Sequence, residues 1–383
     1  MKPSDMRIAL FTGNYNYVRD GANQALNRLV DYLLRQGVKV RVYAPTVKNP
    51  AFPATGDLVH VPALPIPGRW EYRYPMGLPP RVRRDLEAFA PNIVHIGSPD
   101  IAAHRAVTWA KKRGIGRVGS VHTRFETYFQ YYRLKFLEPL ICKGLKRLYN
   151  RCDALVVPAQ SSLDVLREQG MNDDISIWSR GIDRDQFNPE RRDMEWRRAQ
   201  GIGDDEMVVS FLGRVVMEKG LDVFAETIAA LKAKGVSHRV LVIGDGPHRD
   251  WFAGALPDDA VFVGHQEGAD LARALASSDV FFNPSITETF GNVTLEAMAC
   301  ALPVVAVAAT GTTSLVEDGV SGSLAPAYDI EGLADALAAY AADPGLRAAH
   351  GAAGLESARG RDWDSINAAV LDVYRRVAER YAA

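Results

Sequence analysis

Pro284-Ser285-Ile286-Thr287-Glu288-Thr289-Phe290-Gly291-Asn292-Val293-Thr294-Leu295-Glu296-Ala297-Met298-Ala299 follows the apolar run Val280-Phe281-Phe282. That run reads as a buried strand passing into a loop at Asn283-Pro284-Ser285. Asn292 then opens a helical pattern as an N-cap candidate. Glu288 is therefore expected in the loop before a helix, and Glu296 in the helix's first turns. Both belong at the carboxyl edge of a sheet, where open α/β folds bind ligands. Two carboxylates beside a helix N-terminus suit a ligand carrying both hydroxyls and a phosphate.

Working outward, both halves of the chain alternate strand-like and helix-like runs. In the first half Arg7-Ile8-Ala9-Leu10-Phe11-Thr12 is a strand, and a helical pattern over 25–34 stops at Gly37. Strands follow at 38–45, 93–96, 117–121 and 154–158. In the second half, strands at 207–212, 238–243, 260–263 and 302–307 enclose an amphipathic helix over 220–234. This alternation implies parallel βαβ units. The polar stretch 183–205 lies between the halves and takes the boundary, giving domains 1–185 and 186–360. Residues 361–383 form a final helix with Ile366, Val370, Val373 and Tyr374 on one face.

The 383 residues suit two domains, and 47% apolar with 24% charged residues is the composition of a soluble globular protein. A net charge of −1 gives no reason to expect nucleic acid as a partner. Cys142, Cys152 and Cys300 do not make a disulfide framework, so a cytoplasmic location is expected. Met1-Lys2-Pro3-Ser4-Asp5 is not the start of a secretion signal, and no run of eighteen apolar residues predicts a membrane span.

Gly213-Arg214 ends a strand and Lys219-Gly220 opens the next helix. Cations at such a loop suit a diphosphate, because arginine grips two oxygens and lysine adds a point charge. Ile243-Gly244-Asp245-Gly246-Pro247 follows another strand, but Arg249 stands where a dinucleotide fingerprint needs its third small residue, so a dehydrogenase is a poor reading. His122 ends the strand Gly119-Ser120-Val121 at a ligand-facing edge, and His95 ends another strand with only packing or acceptor contact in view. No Asp-x-Asp metal pair stands at a strand end.

Phe211-Leu212-Gly213-Arg214 with Lys219-Gly220, together with Glu288-x7-Glu296 and Leu295-Glu296-Ala297-Met298-Ala299, resembles the retaining glycosyltransferases of family 4. The likeness extends to mannosyl-, sulfoquinovosyl- and glycosyl-lipid synthases. It covers nearly the whole chain. The family's GT-B fold sets two Rossmann-like domains across a cleft, with the last helix crossing back onto the first. The resemblance implies a nucleotide-sugar donor, a UDP- or GDP-sugar, held by Gly213, Arg214, Lys219, Gly244, Gly246, Phe290, Gly291 and Asn292. It places Glu288 on the sugar, Glu296 on the ribose and His122 beside the donor sugar, with His122, Glu288, Arg214 and Lys219 as the catalytic set. Gly21 would let the first helix's amides approach phosphate, although the chain has Ala22 where many members have a second glycine. Arg180-Gly181-Ile182-Asp183 resembles the family's hinge turn, with Arg180 near phosphate or acceptor or in a linker salt bridge. No cofactor and no metal are expected.

Two stretches mix cations with aromatics. Residues 66–84 carry Arg69, Trp70, Tyr72, Arg73, Tyr74, Arg81, Arg83 and Arg84. Residues 122–151 carry Arg124, Arg133, Lys135, Lys143, Lys146, Arg147 and Arg151 among Phe125, Tyr128, Phe129, Tyr131, Tyr132, Phe136 and Tyr149. One reading is an anionic bilayer surface and a lipid or lipid-linked acceptor, with Arg69, Trp70, Arg73, Lys143, Lys146 and Arg147 facing it on the inner membrane face. The other is aromatic core under a solvated basic face. Two further activities stay open: a nucleotide-sugar epimerase of the same fold, and a non-catalytic nucleotide-sugar-binding protein.

Overall fold

The computed structural model describes residues 1–18, 20–66, 69–122, 138–286, 288, 290–309 and 311–382. It divides into two compact units, Met1–Arg180 with Trp363–Ala383, and Gly181–Asp362.

The first unit runs β1 (Arg7–Phe11), α1 (Gly21–Arg35), β2 (Lys39–Ala44), β3 (Asp57–His60), β4 (Ala63–Ile66), β5 (Arg69–Pro75), α2 (Pro80–Phe89), β6 (Ile93–Ile96), α3 (Ile101–Lys111), β7 (Gly116–Ser120), α4 (Glu138–Tyr149), β8 (Ala154–Val157), α5 (Gln160–Glu168) and β9 (Ile175–Ile177). Among the described residues its parallel sheet has the order β3-β2-β1-β6-β7-β8-β9, and β4 pairs with β5 as a separate antiparallel hairpin. Side chains alternate across the sheet as the pleat requires. Ala9, Phe11, Val94 and Ile96 join one core with α2, α3 and α4. Ile8, Leu10, Val40 and Val42 join the other with α1. Burial on both faces explains why these strands read as continuous apolar runs.

The second unit runs α6 (Met194–Ala199), β10 (Val208–Leu212), α7 (Leu221–Ala233), β11 (Arg239–Ile243), α8 (Arg249–Ala255), β12 (Val261–Gly264), α9 (Gly268–Ala276), β13 (Val280–Asn283), α10 (Asn292–Ala299), β14 (Val304–Val307), β15 (Gly322–Ala325), α11 (Ile330–Ala342) and α12 (Pro344–Arg359). Its sheet is again parallel, in the order β12-β11-β10-β13-β14-β15. The last helix, α13 (Trp363–Glu379), belongs to the first unit, where Val370, Val373, Tyr374 and Val377 pack with Ile8 and Leu10.

The division differs from the sequence expectation in one respect. The boundary expected at 185/186 falls at 180/181, so all of 183–205 belongs to the second unit, and the second break falls at 362/363. Charge anchors the stretch. Arg197, wholly buried, donates to Asp279 Oδ2 at 3.0 Å and to the carbonyls of Ser277 (3.1 Å), Gly203 (3.0 Å) and Glu206 (2.7 Å). Arg192 pairs with the other Asp279 oxygen at 2.7 Å. The sequence also did not reveal β3, β9, β15 or the β4–β5 hairpin. The three strands lie at sheet edges and are short, so they carry too few apolar residues to show a pattern.

Removing one partner of a buried ion pair leaves an uncompensated charge, which costs about 3–5 kcal/mol. Asp279→Ala is therefore expected to destabilise the second unit by that amount in chemical denaturation. Asp279→Ala combined with Arg197→Met should recover most of the loss. An unchanged midpoint in the single variant would show that this pair does not dock the 183–205 stretch.

Candidate functional site

In the second sheet β10 lies between β11 and β13, so the strand order reverses there and the loops after β10 and β13 leave in opposite directions. Lys219, at the end of a 3-10 turn after β10, forms an ion pair with Glu288 Oε1 from the loop after β13. The lysine side chain is 33% exposed and the carboxylate 13%, so this charge pair is reachable by a ligand but partly shielded from water. Arg214 is exposed on the same β10 loop.

Backbone packing fixes these loops. Gly220 has φ 75°, and a Cβ there would lie 2.6 Å from the Pro284 carbonyl oxygen. Only glycine lets the β10 and β13 loops touch in this way. The Gly244-Asp245-Gly246 turn brings a third loop in. A Cβ at Gly244 or Gly246 would lie 1.9 Å from the Gly213 oxygen or 2.4 Å from that of Val215. The Gly213 amide donates to Ile243 O and the Val215 amide to Asp245 O, both at 3.0 Å. From the loop after β14, the Gly311 amide donates to the Glu288 carbonyl at 2.8 Å. Gly213, Arg214, Lys219, Gly244, Gly246 and Glu288 are thus gathered at one sheet edge.

Two expectations are corrected here. Asn292 is the first residue of α10 and not its cap; the cap is Gly291, in the left-handed conformation at φ 91°. Gly291 has no side chain to cap the first turn, whose positive helix end lies at this sheet edge. Phe290 is buried, with the Arg361 guanidinium 5.9 Å from its ring centre, so its ring is core and only its backbone borders the loops. Glu296 is half-buried on α10. Burial, and then the Glu296 charge, push the Cys300 thiol up to about 12. Thr287 and Thr289 lie outside the described residues.

In the first unit His122 is buried beyond β7. Arg180 Nη2 donates to its Nδ1 at 2.9 Å. Since Nδ1 accepts, Nε2 carries the proton and donates to Ser120 Oγ at 2.8 Å. Burial, followed by the Arg180 charge, holds the ring's pKa well below its usual value. His122 is accordingly a neutral ring with both nitrogens engaged. Arg180 is buried over the Trp178 ring at 4.9 Å, and its Nη1 donates to the carbonyls of Trp178 (2.9 Å) and Ser179 (3.1 Å). Burial lowers its pKa to about 10. The linker salt bridge is not formed, because no carboxylate partners Arg180 among the described residues. The Trp178 ring also meets His122 edge-on at 5.2 Å, a partner the sequence reading missed because strand β9, which delivers Trp178, was itself not visible.

His95 is a packing residue: it is fully buried, with Nδ1 2.5 Å from the Tyr374 hydroxyl of α13. Gly21 opens α1, but the first-turn amides do not await a phosphate. The half-buried Asp20 carboxylate takes those of Ala22 and Asn23, the latter at 2.8 Å. Lys143, Lys146 and Arg147 are exposed on α4. Arg73 is half-buried on β5 and its amide donates to the Tyr17 hydroxyl at 3.1 Å. The side chains of Arg69 and Trp70 and all of 123–137, with Arg124, Phe125, Tyr128, Phe129, Tyr131, Tyr132, Arg133, Lys135 and Phe136, lie outside the described residues. Tyr149 is core.

These arrangements have a measurable sign. Burial lowers the His95 pKa to about 3, and His122 is also lowered. Both rings are neutral when folded but protonate below about pH 6.5 when unfolded. The unfolded chain then binds more protons, so stability should fall as pH drops below 6.5, by about 1.4 kcal/mol per pH unit for each ring. Nitrogen-15 spectra should show His122 as the Nε2–H tautomer throughout pH 5–8. A titrating His122, or an Nδ1–H tautomer, would contradict the geometry.

The chain is similar to known proteins along most of its length. Residues 206–343 match a family described as glycosyl transferases group 1, and residues 19–186 match glycosyltransferase family 4. A GDP-mannose-dependent alpha-mannosyltransferase of Mycolicibacterium smegmatis is 30% identical over 98% of this chain and 98% of its own length. The sulfoquinovosyl transferase SQD2 of Arabidopsis thaliana is 30% identical over 93% of this chain and 71% of its own. Among solved structures, a sucrose-phosphate synthase from Thermosynechococcus elongatus superposes with a TM-score of 0.81 at 20% identity, covering 97% of this chain and 98% of that one. Matched by family on both units and by a relative along nearly its whole length, the chain belongs to glycosyltransferase family 4 and is a glycosyltransferase of the GT-B fold.

Proposed function

We propose that the protein transfers a hexosyl or hexuronosyl group, with retention of configuration, from a nucleoside-diphosphate sugar to a lipid or lipid-linked acceptor at the cytoplasmic membrane face. The observation that carries the donor half is the meeting of Lys219 and Glu288 at the reversal point of the second sheet, beside Arg214 and the start of α10. A diphosphate entering this edge offers Lys219 stronger acceptors than Glu288 does. The lysine passes to the phosphate, and the released carboxylate accepts from sugar hydroxyls and orients the anomeric carbon. Arg214, Lys219 and the α10 amides then stabilise negative charge as the nucleoside diphosphate departs. Glu296 takes the ribose hydroxyls. Cations perform here what a divalent ion performs elsewhere, so the reaction proceeds without metal. That a relative over the full length is named as GDP-mannose-dependent and α-specific supports the donor class and the product configuration.

Helix α4 supports the acceptor half. Leu140, 68% exposed, lies in line with Lys143 and Arg147 at i, i+3 and i+7. One apolar side chain among exposed cations fits the interface of an anionic bilayer. Among the described residues no helix is long and apolar enough to cross a membrane, so contact would be from the surface.

Lys219→Ala and Arg214→Ala are each expected to lower kcat/KM by about 2–3 kcal/mol of transition-state stabilisation with little change in stability. Glu288→Gln should lower turnover yet tighten nucleoside-diphosphate binding by about fivefold, because it removes the competitor for Lys219. Unchanged kcat/KM in both cation variants would remove the diphosphate assignment. Activity should survive EDTA; loss reversed by magnesium or manganese would refute the metal-free mechanism. Replacing Lys143, Lys146 and Arg147 by Ser should weaken sedimentation with anionic vesicles and spare transfer to a dispersed acceptor. Equal, negligible binding of the parent to neutral and anionic vesicles would exclude the membrane surface.

A further inference from the structure

The β4–β5 hairpin pairs apart from the first sheet, and its two faces differ. At the end of β5, Pro75 and then Gly77 are buried, whereas Tyr74 and Met76, which alternate with them, are exposed. The inward side is seated where the order of the first sheet reverses, between β1 and β6. A Cβ on Gly13, in the loop after β1, would lie 3.7 Å from Pro75 Cδ and 3.3 Å from Oδ2 of Asp100, in the loop after β6. The Gly13 amide donates to Ser98 Oγ at 2.6 Å, and that hydroxyl donates to Asp100 Oδ2 at 2.6 Å. The Arg73 amide donates to the Tyr17 hydroxyl at 3.1 Å, which in turn donates to the Gly13 carbonyl. A Cβ on Gly77 would lie 3.6 Å from Arg105 and 3.7 Å from Ile101, both on α3. The outward side is apolar. Leu64 lies directly opposite Tyr74, and the Met76 amide donates to the Pro62 carbonyl at 3.2 Å, which continues the ladder by one more pair on the same face. Leu64 is 57%, Met76 50% and Tyr74 39% exposed, and Pro62 is exposed as well. Single exposed apolar side chains are ordinary, but two adjacent cross-strand pairs of them on one face mark a binding surface.

We propose that Pro62, Leu64, Tyr74 and Met76 hold the hydrocarbon chain of an amphiphilic acceptor, with its polar head toward the reversal point of the first sheet. This rests on the lipid-acceptor reading of the first unit and names where the chain of that acceptor lies. Size argues for such an occupant. Stable protein interfaces use about 20–30 residues a side, so four side chains are too few for a second copy of the chain or another protein. Neighbouring pairs on one face of a hairpin are about 7 Å apart along the strands, so a chain of several methylenes spans both. Place argues for it too. Open α/β sheets bind ligands at the reversal point, and the hairpin is bonded to the two loops that form it. The patch therefore serves a bound molecule, and the cations of α4 serve the bilayer surface.

The test titrates hexyl and octyl β-D-glucoside, each below its micelle concentration, into the full-length protein. The ratio of their affinities isolates the chain, because the sugar head is the same in both. Octyl glucoside should bind the parent about fourfold more tightly, the gain for two methylenes each buried on one side. Leu64→Ser, Tyr74→Ser and Met76→Ser combined should bring the ratio to about one, and Leu64→Met should keep it. Trp251→Gln removes an exposed apolar side chain of the second unit and should also keep it. A ratio of one in the parent, a ratio that survives the triple substitution, or an equal loss with Trp251→Gln overturns the subsite. Parent binding to neutral phosphatidylcholine vesicles that the triple substitution abolishes would assign the patch to the bilayer, and parent self-association that it abolishes would assign it to a second copy; either overturns the proposal. Transfer from UDP-glucose and GDP-mannose to dispersed dioleoylglycerol and to free glucose separates the two questions. Transfer to dioleoylglycerol with no chain-length ratio defeats the subsite and leaves the lipid reading standing. Transfer to glucose alone, with a ratio that follows the three side chains, defeats the lipid reading and leaves the hydrocarbon subsite.

Discussion

The ion pair of Lys219 and Glu288 is the constraint around which the second unit is arranged. Sixty-nine residues separate the two, and they meet because parallel βαβ connections put the β10 and β13 loops side by side where the strand order reverses. Glycines at 220, 244 and 246 let backbone touch backbone, so the loops that carry the pair have little room to move apart. A cation and a carboxylate held this close, and only partly shielded, form a pair that a diphosphate can replace. Burying such a pair fully would make it costly to open, and exposing it fully would make it weak.

The first sheet solves its own reversal point differently. It lies between β1 and β6, and both helices that start there are capped by acids, Asp20 on α1 and Asp100 on α3. Burial raises the pKa of both, Asp100 to about 6. Carboxyl groups at both helix starts disfavour an anion and suit hydroxyls. The positive features of this unit lie elsewhere, at the start of α2 and along α4. The two units thus share a topology and differ in charge at the edges where ligands bind, in keeping with function residing in side chains added to a common fold.

Much of this was legible in the sequence, for physical reasons. Strands buried on both faces write long apolar runs, so the inner strands of both sheets were readable, as were Gly213-Arg214, Lys219-Gly220 and the Glu288 loop. What the chain could not show was pairing at a distance. Nothing in His122 or Arg180 alone announces that one donates to the other. The acid at Asp20 looked like a neighbour of Gly21 and proved to take the amides that Gly21 seemed to offer. Residues 183–205 took the domain boundary because charged residues are usually solvated, yet Arg197 is wholly buried against Asp279. Edge strands such as β15 carried too little apolar surface to leave a pattern.

In the proposed mechanism Lys219 exchanges Glu288 for the donor's diphosphate. A double-mutant cycle on nucleoside-diphosphate binding tests it directly, using Lys219→Ala, Glu288→Gln and the two combined in calorimetric titrations. With exchange, Glu288→Gln tightens binding in the parent and has no effect once Lys219 is removed. The same gain in both backgrounds would show that Glu288 acts on the ligand by plain repulsion and that no exchange takes place.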